Sequence, residues 1–169
     1  MRIAIDGMGG DHAPDEILSG AVEAAKKHPE ATLLLVGQKE RLSKQPLPSN
    51  IQIIHATQIV EMKEEPVKAL RSKPDSSLRV AMTLVKEGKA DAVISAGNTG
   101  AMVAGAIFPL FGLGNLEGVK RPGIAIPMPV EGGTCAMIDL AARMRFSTRL
   151  PRLDPSAMPQ RGERKPRES

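Results

Sequence analysis

The sequence predicts an α/β fold with a mainly parallel sheet, and three observations carry that expectation. Apolar runs recur along the chain and are near-continuous rather than alternating, as in strands covered on both faces. Segments of helical period lie between the early runs, so strand and helix alternate from the start. Glycine-rich turns follow two of the runs, at the places where α/β sheets hold their ligands.

The predicted strands are "RIAID" (2 to 6), "TLLLVG" (32 to 37), "IQIIH" (51 to 55), "DAVIS" (91 to 95), "GIAIP" (123 to 127) and "CAMIDL" (135 to 140). The first helix is read from Ile17, Leu18, Ala21, Val22 and Ala25. Pro14 suits its first helical position, with Asp15 and Glu16 in the first turn. A second helix is read from Leu78, Ala81, Met82 and Val85 after "PDSS", closed by Gly88. Residues 92 to 116 carry no charge, but only 101 to 113 are consistently apolar, broken by Pro109. A segment of that length reads as a buried helix rather than a membrane span.

Composition narrows the class. The chain has 169 residues, 41% hydrophobic and 25% charged, enough for one domain with a sizeable core. It has three Phe and neither Trp nor Tyr, so platforms for stacking bases are missing and no nucleic-acid partner is expected. The single cysteine, Cys135, has no partner for an internal disulfide and reads as a buried strand thiol. The N-terminus lacks a long apolar signal segment, and a cytoplasmic address is expected. The net charge of +4 is concentrated in residues 141 to 169, where eight Lys and Arg face three Asp and Glu. That Arg- and Pro-rich tail is expected to be disordered.

Two strand-to-helix junctions are candidate sites. In "AIDGMGGDHAPDE", Gly9 and Gly10 permit close approach of backbone to a ligand, and Asp6, Asp11 and His12 bring ionisable groups beside the next helix. The spacing is not that of a dinucleotide fingerprint. The three ionisable groups can ligate a metal, yet helix capping and bonds to backbone amides explain them as well. In "DAVISAGNTGA", Gly97 supplies a turn, Asn98 a cap, and Ser95, Thr99 and Gly100 surround the start of an apolar helix whose amides favour an anion. A well-capped core helix is the competing explanation. A third stretch, "EEPVKALRSKPDSSLRVA", carries Lys68, Arg71, Lys73 and Arg79. These four positive groups beside a helix start, and Arg121 before Pro122, are candidate anion contacts, or charges on a solvated surface.

Taken together, "IDGMGGDHAP", "EPVKALRSKPDSSLRVAMTLVKEGKADAVISAGNTGA" and "KRPGIA" resemble the phosphate acyltransferase family of bacterial phospholipid synthesis. The similarity spans about residues 1 to 140. It implies attack of inorganic phosphate on the thioester of a fatty acyl group carried by acyl carrier protein, giving acyl phosphate. No metal or other cofactor is implied. The resemblance also implies a three-layer α/β/α sandwich akin to isopropylmalate dehydrogenases and phosphotransacetylases, a homodimer, and peripheral association with the cytoplasmic membrane. A glycerol-3-phosphate acyltransferase would act next. By this resemblance Asp11, His12 and Asn98 are the expected catalytic residues. Gly9, Gly10, Arg71, Ser95, Gly97, Thr99, Gly100 and Arg121 are the expected phosphate and substrate contacts. A phosphotransacetylase-like enzyme using acyl-coenzyme A and a non-catalytic binding fragment are the alternatives.

In the family, the strand matching "CAMIDL" leads into Gly-Ala-Asn and about as much chain again. Here Asp139 and Leu140 run into Ala141, Ala142 and Arg143. The expectation is therefore a domain over 1 to 140, truncated, followed by an aberrant tail of the kind a reading-frame shift yields.

Overall fold

The structure, a computed structural model, describes residues 1–108, 125–130 and 133–138, with side chains through residue 108. The chain divides into two compact units, Met1–Pro122 and Gly123–Ser169. The tail 141–169 lies outside the described residues.

In the first unit, β1 (Arg2–Asp6), β2 (Thr32–Gly37), β3 (Ile51–His55) and β4 (Ala92–Ile94) form one sheet in the order β3-β2-β1-β4, all parallel. The first three strands begin and end where the apolar runs do. The connecting helices are α1 (Asp15–Lys27), α2 (Lys39–Leu42), α3 (Pro66–Ser72) and α4 (Ser77–Lys86), and α5 (Thr99–Ile107) follows β4. The short α2 and α3 were not anticipated as helices. α2 is a single turn with too few residues to show a period, and α3 is flagged mainly by Pro66 in its first turn.

The pleat explains why these strands read as continuous apolar runs. Ile5, Leu33 and Leu35 point into one core with Leu18, Ala21 and Ala25 of α1. Their neighbours Ala4, Leu34 and Val36 point to the other face, where they pack with Ala81 of α4. Both faces are thus covered, and the result is an α/β fold consistent with part of an α/β/α sandwich. Burying a leucine as completely as Leu35, at 0% exposure, stabilises the fold by roughly 2 kcal/mol.

A third cluster joins Leu70 of α3 and Met82 of α4 to Ala101 and Ala104 of α5. The small residues of α5 have a packing reason: a side chain at Gly105 would collide with the Met82 sulfur, so α5 lies against α4 at close range. Among the described residues no helix is long and apolar enough to cross a membrane.

Pro14 takes the position just before α1 rather than the first helical one, after a cis Ala13–Pro14 bond. A larger correction concerns the second unit, where β5 (Ala125–Val130) and β6 (Gly133–Ile138) pair antiparallel as a two-stranded sheet. The sequence suggested two further parallel strands. A parallel pair needs a crossover of a dozen or more residues, and only Glu131 and Gly132 separate these two.

Candidate functional site

The sheet order positions the site. The chain leaves β1 through α1 toward β2 on one side, while β4 joins β1 on the other. The two loops leaving β1 and β4 therefore begin side by side at the carboxyl ends of adjacent strands, and connections that diverge there leave the crevice in which such sheets bind ligands.

The loops meet through their glycines. A side-chain carbon on Gly9 would run into the Asp6 carboxylate and lie 2.9 Å from Ser95 Oγ, and one on Gly97 would lie 3.1 Å from the Gly9 Cα. Gly10 has φ of +112°, a left-handed conformation that disfavours other residues, and packs against the Ala96 carbonyl. Gly9 is required by the Asp6 and Ser95 side chains, and Gly10 and Gly97 by the backbone of the facing loop.

Asp6 fastens the junction. It is 3% exposed at the end of β1, and its Oδ2 accepts a hydrogen bond from Ser95 Oγ at 2.7 Å. Its Oδ1 accepts from the Met8 amide at 3.3 Å, while Ser95 Oγ accepts from the Gly97 amide at 3.0 Å. The Ser95 proton is therefore used within the protein and is not offered to a ligand.

Asn98 is committed in the same way. At 7% exposure, its Oδ1 accepts from the Ala101 amide and caps α5. Its Nδ2 donates to the carbonyls of Glu61, Met62 and Glu64 at 3.0–3.2 Å. An amide group has two protons, and both are engaged. The sequence suggested Ser95 and Asn98 as neutral donors toward substrate; the structure gives them internal tasks, one tying β4 to β1 and the other tying α5 to the segment after β3.

What remains open is backbone. The amides of Gly10, Asp11, His12, Thr99 and Gly100 have no hydrogen-bonding partner among the described residues, and neither has the Thr99 hydroxyl. Open amides in the turn before α1 and at the start of α5 favour an anion through hydrogen bonding, joined at α5 by the helix dipole. The Asp11 and His12 side chains are exposed in the turn before α1. Among the described residues no three His, Cys, Asp or Glu side chains group as metal ligands, so Asp6, Asp11 and His12 do not assemble a metal centre.

The segment from Ile59 to Glu64 runs past this junction and is held at both ends. Lys73 Nζ donates to the Ile59 carbonyl at 2.7 Å and pairs with Glu64 Oε2 at 2.6 Å. The same Glu64 oxygen accepts from the Glu61 amide at 2.8 Å. The Lys73 contact, then the Glu61 amide, hold the Glu64 carboxyl below its ordinary pKa. Glu65 caps α3 through the Val67 and Lys68 amides, and Pro66 packs on Gly100.

Between this strap, the loop after β1 and α2 lies a cleft of about 360 Å³, lined by Gly10, Asp11, Arg41, Val60 and Lys63 among others. Arg41 and the strap residues escaped sequence analysis because no local pattern relates positions so far apart. Asp6 carried a signal, a carboxylate ending an apolar strand. Arg71 is exposed near the end of α3, without a hydrogen-bonding partner among the described residues. Arg121 and its surroundings lie outside the described residues.

The chain matches the model of a family described as fatty acid synthesis protein over residues 1–149. It belongs to that family. Relatives named phosphate acyltransferase agree with the assignment. The Desulfitobacterium hafniense protein (strain DSM 10664 / DCB-2) is 46% identical over 146 residues, covering 84% of this chain and 42% of that protein. The Magnetococcus marinus protein is 44% identical over 153 residues, covering 88% of this chain and 43% of its own length. That of Clostridioides difficile (strain 630) is 46% identical over 148 residues, covering 84% and 42%. The fatty acid synthesis family match thus ends at residue 149, and the chain spans about two-fifths of the length of these curated relatives.

Proposed function

We propose that this chain carries the phosphate-binding part of an acyltransferase that moves a fatty acyl group from acyl carrier protein to inorganic phosphate, giving acyl phosphate. A phosphate oxygen attacks the thioester carbonyl carbon, the resulting tetrahedral intermediate expels the thiolate, and the thiolate takes up a proton. Phosphate is itself the nucleophile, so the reaction needs positioning and charge stabilisation more than a nucleophilic side chain.

The observation that carries this reading is the glycine-to-glycine contact of the two loops, with unpartnered amides at Gly10, Asp11, His12, Thr99 and Gly100. Backbone donors can hold a phosphate without adding negative charge, and Asp11 and His12 are within the same turn for managing its proton. The names of the relatives support acyl transfer to phosphate. Acyl phosphate would then serve a glycerol-3-phosphate acyltransferase, and a homodimer and contact with the cytoplasmic membrane surface belong to the same proposal.

The test incubates the 169-residue chain with palmitoyl–acyl carrier protein, with and without phosphate, and measures free carrier thiol and hydroxylamine-trapped acyl phosphate. Phosphate-dependent formation of both in equal amounts is expected. Thiol release that ignores phosphate would mean a hydrolase, and faster reaction with palmitoyl-coenzyme A would move the donor to the coenzyme A class. Phosphate binding without turnover would reduce the chain to a binding module.

A further inference from the structure

The cleft beside the glycine junction overlaps the phosphate site of the reading above only at Gly10 and Asp11, and the rest of its construction is specific. It shares Gly10 and Asp11 with the loop after β1, so whatever fills it lies beside the loop that carries open amides. Its apolar wall is Met8 and Val60, each largely buried. Its charged lining is Arg41 of α2 and Lys63 of the strap beside the carboxylates Asp11 and Glu61, and neither cationic side chain has an ion-pair or hydrogen-bonding partner among the described residues. The strap side is preformed, because Asn98 and Lys73 hold its backbone in place. At about 360 Å³ the volume is at the small end of ligand sites.

We infer that this cleft receives the phosphopantetheine arm of the thioester donor, with Arg41 and Lys63 gripping the arm's phosphate. The inference rests on the acyl-transfer reading and adds the donor's subsite to it. The arm is linear, carries one phosphate, two amides and a pair of methyl groups, and ends in the thiol that bears the acyl group. Met8 and Val60 suit the methyls, Asp11 can accept from an amide, and the two cations meet the phosphate. The end of the cleft at Gly10 then brings the thioester to the phosphate amides. Acyl carrier protein and coenzyme A carry the same arm, so the cleft recognises the chemistry they share.

The experiment is calorimetric binding to the 169-residue chain with 4′-phosphopantetheine, with pantetheine lacking the phosphate, and with inorganic phosphate. The phosphorylated arm is expected to bind about tenfold more tightly than pantetheine. Arg41→Gln should remove about that tenfold advantage, and the more exposed Lys63→Gln about threefold, leaving pantetheine and inorganic phosphate unaffected. Unchanged circular dichroism and thermal midpoints establish that both variants remain folded. Equal affinity for the two arms, absence of binding, or variants that bind the phosphorylated arm as wild type does would overturn the inference. So would a matching loss of inorganic phosphate binding, which would assign these cations to the nucleophile. Holo-acyl carrier protein and coenzyme A, titrated in parallel, identify which source of the arm is preferred. Arm binding as described in a chain that forms no acyl phosphate would sink the acyl-transfer reading alone.

Discussion

Asn98 joins two segments through one side chain, capping α5 with its oxygen and holding Glu61, Met62 and Glu64 with its nitrogen. Asn98→Ala should cost about 2–3 kcal/mol in urea denaturation, roughly 1 for the lost cap and the rest for carbonyls left without a donor. Asn98→Asp separates the two roles, since it keeps the capping oxygen but turns an acceptor toward three carbonyls. It should be at least as destabilising as Ala at neutral pH; a stability equal to wild type would mean the cap alone matters. Glycines allow a similar contrast. Gly9→Ala forces a carbon into the Asp6 carboxylate and should cost about 1–3 kcal/mol, whereas Gly20→Ala, in open space within α1, should add about 1 kcal/mol. Thermal midpoints moving in opposite directions are the expected result. The glycines of the first junction were legible in the sequence as a tight turn and a candidate site, but Gly9 and Gly20 are the same letter, and only the surroundings distinguish them.

At the scale of elements, the strap from Ile59 to Glu64 is held by an ion pair that pH can break. Lys73, and then the Glu61 amide, hold the Glu64 carboxyl below the ordinary value for a glutamate. A carboxyl depressed in the folded state contributes stability that is fully present above its unfolded pKa and is lost as pH falls through the lower folded value. Stability should therefore hold from neutral pH to about 4.5 and decline below it, and Glu64→Gln should flatten that part of the decline. Denaturant midpoints of both proteins across this range provide the check; parallel curves would show that the ion pair has no role in acid sensitivity. Sequence analysis saw Lys73 as a candidate anion contact. Its carboxylate partner lies nine residues earlier in the chain, at the other end of α3, a helix too short for its period to be read.

For the molecule as a whole, the sequence by itself determined the class of fold and the places where function could reside. Continuous apolar runs at β1, β2 and β3 mean burial on both faces, and the period of α1 and α4 supplies the covering layers. Such patterns are local, because the pleat repeats every two residues and the helix every 3.6, so neighbours in the chain disclose the faces they present. The glycine loops were visible for the same reason. Tertiary structure decided the order β3-β2-β1-β4, which sets the β1 and β4 loops side by side and makes their glycines one junction. It also decided that Ser95 and Asn98 face inward, that backbone amides are the groups left open, and that Arg41 and Lys63 share a cleft. The physical reason is range: a residue's type fixes which bonds it can make, but which partner reaches it first depends on segments brought together from 37 and 89 positions away.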